Sequence, residues 1–151
     1  MTAQDDGHTR RIVVGVDGSV PSKSALAWAV RQARLTGAAV EAVIAWEFPA
    51  ISGYPVQVMD VDWQELAEQI VTDAVGEAAR SAGDVEIGCK VVQGNAAQVL
   101  LDASAEAELL VVGSRGHGGF AEALLGSVGQ HCVLHATCPV VVIRDSVAGS
   151  T

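Results

Sequence analysis

The sequence predicts one α/β domain built on a parallel sheet, and three observations carry that prediction. Five apolar runs rich in β-branched residues alternate with segments whose apolar residues recur at helical spacing. Two of the runs, IVVGV and LLVVG, are apolar throughout, which is the pattern of central strands covered on both faces. The resulting order, β α β α β α β α β, joins parallel strands by right-handed crossovers.

Each element has a local reason. The first strand is expected at Ile12–Val16, and the first helix carries the stripe Ala25, Leu26, Ala29, Val30, Ala33. Ser22 or Ser24, just after Pro21, would cap it and Gly37 would end it. The second strand covers Val40–Trp46. The segment EFPAISGYPVQVMD, Glu47–Asp60, has two prolines, a glycine and no periodicity, so it reads as a long loop of the kind that is often functional or mobile. The second helix presents Trp63, Leu66, Ala67, Ile70, Ala74 and Ala78, with Gly83 to end it. The third strand, Val85–Val92, turns at Gly94 into a short helix from about Ala96 to Ala105. The fourth strand is Leu109–Val112, the last helix runs from about Phe120 to His135, and the fifth strand is Val140–Ile143. Residues 1–10 and 146–151 read as tails on a single domain spanning 11–145. Trp28 and Trp63 are expected in the core or at an interface.

Composition narrows the partners. Nine Lys and Arg against 18 Asp and Glu give a net charge of −9 at pH 7 over 151 residues. Nucleic acid and anionic membrane surfaces attract proteins through Lys and Arg, so both are excluded as expected partners. The seven Arg and two Lys are spread from Arg10 to Arg144 with no basic run longer than Arg10–Arg11. Half the residues are apolar, and a chain of this size buries ~70% of its unfolded surface, so no disulfide or metal staple is required. Three cysteines, Cys89, Cys132 and Cys138, are an odd number and point to a reducing cytoplasm. The N-terminal MTAQDDGHTRR is polar where a signal peptide would be apolar. The uncharged stretch Ala123–Ile143 contains Ser127, Gln130, His131, His135, Thr137 and Pro139, and reads as a soluble segment rather than a membrane span.

The densest chemical signal is GSRGHGGFAEALLGS, residues 113–127, which leaves an apolar strand and enters a helix. Gly113, Gly116, Gly118 and Gly119 free the backbone to approach a ligand closely and to aim several N–H groups at one anion. Gly126 and Ser127 follow an apolar run, and the Ser hydroxyl is one more donor for a phosphate oxygen. The alternative reading is a glycine turn with no ligand. No G-x-x-x-x-G-K-[ST] is present, which excludes the P-loop NTPases. Gly116, Gly118 and Ala121 match G-x-G-x-x-A, but no acidic residue follows about 20 positions on, as an NAD ribose would require.

A second signal is VDGS, Val16–Ser19. It puts Asp17 at the carboxyl end of the first strand, where ligands bind in doubly wound sheets if the first and fourth strands are neighbours. Asp17 can equally be a turn or capping residue before Gly18. Cys132, His135 and Cys138 have metal-like spacings, but Pro139 starts a strand, so the three cannot share a helix face; core thiols with a capping His are the simpler reading. His117, beside the glycines, can touch a phosphate or simply be solvent-exposed, and exposure is the simpler reading. No Ser-His-Asp or paired-carboxylate constellation is visible, so no dedicated catalytic mechanism is expected.

These residues carry a resemblance. The chain resembles the universal stress proteins, small α/β domains in which an ATP-binding subgroup shows G-2x-G-9x-G-[ST], here Gly113, Gly116, Gly126 and Ser127. The likeness extends over IVVGVDGS, the Gly94 turn and GSVGQHCVLHATCPVVVIR, essentially the whole folded chain. One departure is Ala96, where many members carry proline.

The resemblance implies a doubly wound, Rossmann-like fold of the adenine nucleotide alpha hydrolase-like type, with five parallel strands in the order 3-2-1-4-5. It gives Asp17 a ribose or adenine contact, Gly15 a place at the pocket floor, and the backbone of Ala45 the adenine edge; from its position next to Ala45 in the sequence, Trp46 is expected at the rim. Gly113, Gly116, Gly126, Ser127 and Val128 would hold ribose and phosphates. It also implies a homodimer through Val140–Ile143.

The expected ligand is ATP with Mg²⁺, held at about micromolar affinity, ~8 kcal/mol, by backbone N–H groups and Arg115, the one formal cation of the glycine loop. The expected role is a nucleotide-dependent stress-response regulator with at most slow hydrolysis. The alternatives are a module for cyclic AMP or another adenine nucleotide, and a nucleotide-free partner-binding protein. An ATP-consuming or adenylyl-transferring enzyme is a further alternative, against which no SGGxDS loop is present. Gly113→Val or Gly126→Val would then abolish binding and leave the fold intact.

Overall fold

A computed structural model describes residues 10–48, 50–51, 54–55, 61–115 and 125–144. In chain order the elements are β1 (Arg11–Gly15), α1 (Val20–Thr36), β2 (Ala39–Trp46), β3 (Ala50–Ile51), β4 (Tyr54–Pro55), α2 (Trp63–Ala79), β5 (Ile87–Gln93), α3 (Ala96–Ala103), β6 (Leu109–Gly113), α4 (Ser127–His135) and β7 (Val140–Ile143). The main sheet is parallel throughout, ordered β5-β2-β1-β6-β7. Counting only its five strands, that is the expected 3-2-1-4-5. The two continuously apolar runs, β1 and β6, lie side by side at its centre, as strands covered on both faces must.

Alternation along the central strands feeds two cores. Ile12, Val14, Val40, Ala42 and Ile44 turn toward α1 and α2, while Val13, Val43, Leu110 and Val112 turn toward α3 and α4. Both layers are built from small and β-branched residues, so the helices pack closely on the sheet. Trp28 packs half-buried against the first core, and Trp63 is also half-buried.

Local chemistry corrects several expected boundaries. The cap of α1 is Ser19, whose Oγ accepts from the N–H of Ser22 at 3.3 Å, not Ser22 or Ser24. Pro21 sits inside the first turn, where its missing N–H costs nothing, so the helix begins before the proline. Gly37 ends it at φ +82°, as expected. Helix α2 is capped by Asp62, which accepts from Glu65 N–H at 3.0 Å, and stops at Ala79 rather than running on to Gly83. Gly83, at φ +65°, serves the turn beyond, where the Arg34 guanidinium donates to the Ser81 carbonyl. Asn95 caps α3 by accepting from Gln98 N–H at 3.1 Å. The segment expected as a long loop contains the antiparallel pair β3 and β4, with Ile51 opposite Tyr54. The described part of the last helix is Ser127–His135; its expected first turns, like both tails, lie outside the described residues. Among the described residues no helix is long and apolar enough to cross a membrane.

Candidate functional site

The crossover after β1 leads to α1 on one face of the sheet, and that after β6 leads toward α4 on the other. The two strands are neighbours, so their carboxyl ends part and leave a crevice at the point where strand order reverses. The crevice encloses ≈ 200 Å³. Its wall is apolar, formed by Val43, Leu100 and Val112, and its rim is polar. Eight of the nine expected site residues line it: Gly15, Asp17 and Ala45 from the β1 and β2 ends, Gly113 at the end of β6 and Arg115 just beyond it, and Gly126, Ser127 and Val128 at the start of α4. The ninth, Gly116, lies outside the described residues, as does His117.

The start of α4 is pinned by backbone. Gly126 N–H donates to the Ser114 carbonyl at 2.6 Å, and Ser114 N–H donates to the Ile143 carbonyl at 2.8 Å, so helix, β6 and β7 meet at one point. Gln130 N–H is the first to bond back along the helix, to Gly126 O at 2.9 Å. The N–H groups of Ser127, Val128 and Gly129 precede it in the first turn, where a helix has no carbonyl of its own to offer them. Gly126 supplies no side-chain cap, so the positive end of the helix is presented at the crevice.

Asp17 proves to be both a turn residue and a wall of the crevice. Its Oδ1 accepts from Ser19 N–H at 2.9 Å and from Ser19 Oγ at 2.5 Å, around Gly18 at φ +85°. Its own N–H donates to Ser22 Oγ at 3.3 Å, and that hydroxyl donates to Ser19 O at 3.0 Å. The carboxylate is thereby fixed in orientation.

Ala45 offers backbone for a different reason. The last β1–β2 bond runs from Val16 N–H to Val43 O at 2.9 Å, while β2 continues to Trp46 beside β5. Alternation turns the N–H and C=O of Ala45 to the β1 side, beyond that last bond. Trp46 therefore turns the other way. Its side chain packs on the α1/α2 core and donates from Nε1 to Gln64 Oε1 at 2.7 Å, meeting Phe48 edge-on at 5.3 Å. It does not rim the crevice, which corrects the expectation from sequence order.

The glycines divide by what they face. A Cβ on Gly113 would lie 2.8 Å from both the carbonyl carbon and the Cβ of Pro21, so Gly113→Val must displace the first turn of α1, where the sequence led us to expect an undisturbed fold. A Cβ on Gly15 would meet Leu100 Cδ1 at 2.7 Å, the movable end of a side chain.

The metal-like trio does not assemble into a set of ligands. Cys132 is fully buried, and burial together with nearby Cys138 pushes its thiol up to about 11. His135 is exposed, with its ring 4.6 Å from that of His131. Among the described residues no group of three or more His, Cys, Asp or Glu side chains could hold a metal. Ser22 and Leu100 are crevice residues that local sequence did not indicate; the register of α1 and α3 on the sheet is the signal that places them.

Fold and site together define a doubly wound α/β domain of the adenine nucleotide alpha hydrolase-like type, with a crevice at its switch point. The family model for the universal stress protein family matches residues 8–144, and the chain belongs to that family. A universal stress protein of Mycobacterium tuberculosis (strain H37Rv) is 38% identical over 138 residues, covering 89% of this chain and 45% of the relative. The chain spans about half the length of the curated relatives it matches. Among solved structures, a universal stress protein in complex with cAMP is 28% identical with a TM-score of 0.68, over 90% of this chain and 97% of that one. The universal stress protein UspA of Lactobacillus plantarum shares the fold with a TM-score of 0.72 at 23% identity, over 92% of this chain and 100% of that one.

Proposed function

We propose that this domain binds an adenine nucleotide, with ATP as the leading ligand, and acts as a regulator through nucleotide-dependent conformation or association. The observation that carries the reading is the convergence of the uncapped α4 N-terminus, Arg115 and Asp17 on one crevice with an apolar wall. In this reading the purine lies against Val43, Leu100 and Val112, and the Ala45 peptide meets its edge. Asp17 accepts from the ribose. Ser127, Val128 and Arg115 hold the phosphates, the helix terminus contributing typically ~0.3–1 kcal/mol and each bond to a charged group ~1.5–3 kcal/mol.

The protein as a whole is acidic, so affinity comes from these local donors rather than from long-range steering. Mg²⁺ would enter on the phosphates and their waters, its usual mode, which fits a crevice whose described lining has one carboxylate. Any hydrolysis is slow in this reading, the protein works in a reducing cytoplasm, and two copies pair through β7. Cyclic AMP is the second reading, favoured by the cAMP-bound relative and by the modest size of the crevice.

Mass spectrometry of the ligand released from natively purified protein, followed by calorimetric competition between ATP and cyclic AMP, tests both. ATP retained and displaced only weakly by cyclic AMP supports the first reading, and the reverse supports the second. A protein that neither retains nor binds adenine nucleotides overturns both.

A further inference from the structure

We infer that Ser19 is a positioning residue for nucleotide binding, holding the Asp17 carboxylate in the orientation that reads ribose hydroxyls; this rests on the adenine nucleotide reading above. Ser19 bonds the same carboxylate oxygen twice, from its N–H at 2.9 Å and from its Oγ at 2.5 Å. A hydrogen bond whose acceptor is an ionised carboxylate is stronger than one between neutral groups. The same Oγ accepts from Ser22 N–H at 3.3 Å, so its lone pair is committed to the helix and its proton to the carboxylate.

Ser22 closes the circuit, accepting from Asp17 N–H and donating to the Ser19 carbonyl. Ser19 and Ser22 are both buried, and so shielded from water that would compete for these bonds. For capping alone, the hydroxyl need only accept. Donation to Asp17 is a second use of the same atom, and it points to the crevice, because Asp17 lines it and Ser19 does not. A carboxylate fixed before the ligand arrives loses no rotamer freedom on binding, so its preference for a ribose hydroxyl is expressed in full.

The test compares AMP with 2′,3′-dideoxy-AMP, which lacks the hydroxyls that Asp17 would read, by calorimetry on the full chain. The wild type is expected to prefer AMP by about tenfold or more, the range of a hydrogen bond to a charged group. Ser19→Ala is expected to reduce that preference severalfold while leaving dideoxy-AMP affinity unchanged, and Ser19→Thr is expected to restore it. Ser19→Gly removes the hydroxyl at a helix-capping cost of only a few tenths of a kcal/mol, so it guards against a variant that fails to fold, and it should behave as Ser19→Ala does. A loss of stability alone would weaken both ligands equally. If the wild type binds AMP with the expected preference and both hydroxyl-less variants keep it, Ser19 is structural only and this inference is overturned. If the wild type binds neither ligand, the nucleotide reading itself fails and takes the inference with it.

Discussion

Gly113, at the end of β6, faces Pro21 in the first turn of α1 so closely that a methyl group on it would sit 2.8 Å from the Pro21 carbonyl carbon and 3.0 Å from its oxygen. The glycine is therefore a packing device that lets α1 start directly over the sheet, as well as a member of the glycine-rich motif that begins at residue 113.

Gly113 and Gly15 should consequently respond differently to the same change. Gly113→Ala pushes against backbone, which cannot rotate away, and is expected to cost about 1–3 kcal/mol of stability. Gly15→Ala meets only the Leu100 methyl end, and is expected to cost about 1 kcal/mol or less while tilting Leu100 into the crevice and weakening nucleotide binding. Denaturant unfolding and ligand titration of both variants check this; equal destabilisation would contradict the division.

The uncapped start of α4 sets up a trade between stability and binding. Gly126 has an extended conformation, φ −69° and ψ 169°, open to any residue. Gly126→Ser is expected to cap the helix, raising the stability of the ligand-free protein by a few tenths of a kcal/mol. The new hydroxyl would occupy an N–H that a phosphate bound as proposed would use. A higher Tm with weaker nucleotide affinity is the expected pair of results.

Much of this was legible in the sequence because the signals were local and periodic. β7 lies where its β-branched run stands, and the central position of β1 and β6 follows from their unbroken apolarity. What was not legible depends on the third dimension. VDGS does not reveal whether Asp17 serves the turn or the pocket, and the structure has it in both places at once. The sequence order Ala45-Trp46 suggests neighbours in one site, but strand alternation sends them to opposite faces. Gly113 looks like a glycine needed by a ligand, and only the approach of Pro21 shows its second duty.

Cys132 gives the fold an alkaline limit. Its ordinary value near 9 is raised to about 11 by burial and the neighbouring Cys138. Below pH 9 the proton is held in folded and unfolded chains alike, and the stabilisation is fully present. As pH rises from 9 toward 11 the unfolded chain releases the proton first, so stability falls, by of the order of 2 kcal/mol across that window. Unfolding free energies measured between pH 8 and 11 should show this slope in the wild type and a shallower one in Cys132→Ala. At neutral pH Cys132 should resist thiol reagents, while exposed Cys89 reacts first.

The edge strand supplies the last test, that of self-association. Leu110 N–H donates to Pro139 O at 3.0 Å and Ser114 N–H to Ile143 O at 2.8 Å, so the odd-numbered residues of this segment carry the bonds to β6. By alternation the N–H and C=O of Val140 and Val142 point away from the sheet, along an edge whose side chains are all half-buried. If two copies pair through this edge, Val142→Pro removes an outward donor while leaving every β6–β7 bond in place, a position where an edge strand tolerates proline. The variant is expected to sediment as a monomer with a native circular dichroism spectrum, whereas Val142→Thr, which keeps the N–H and the side-chain shape, should remain dimeric. A Val142→Pro protein that still sediments as a dimer would place the contact elsewhere.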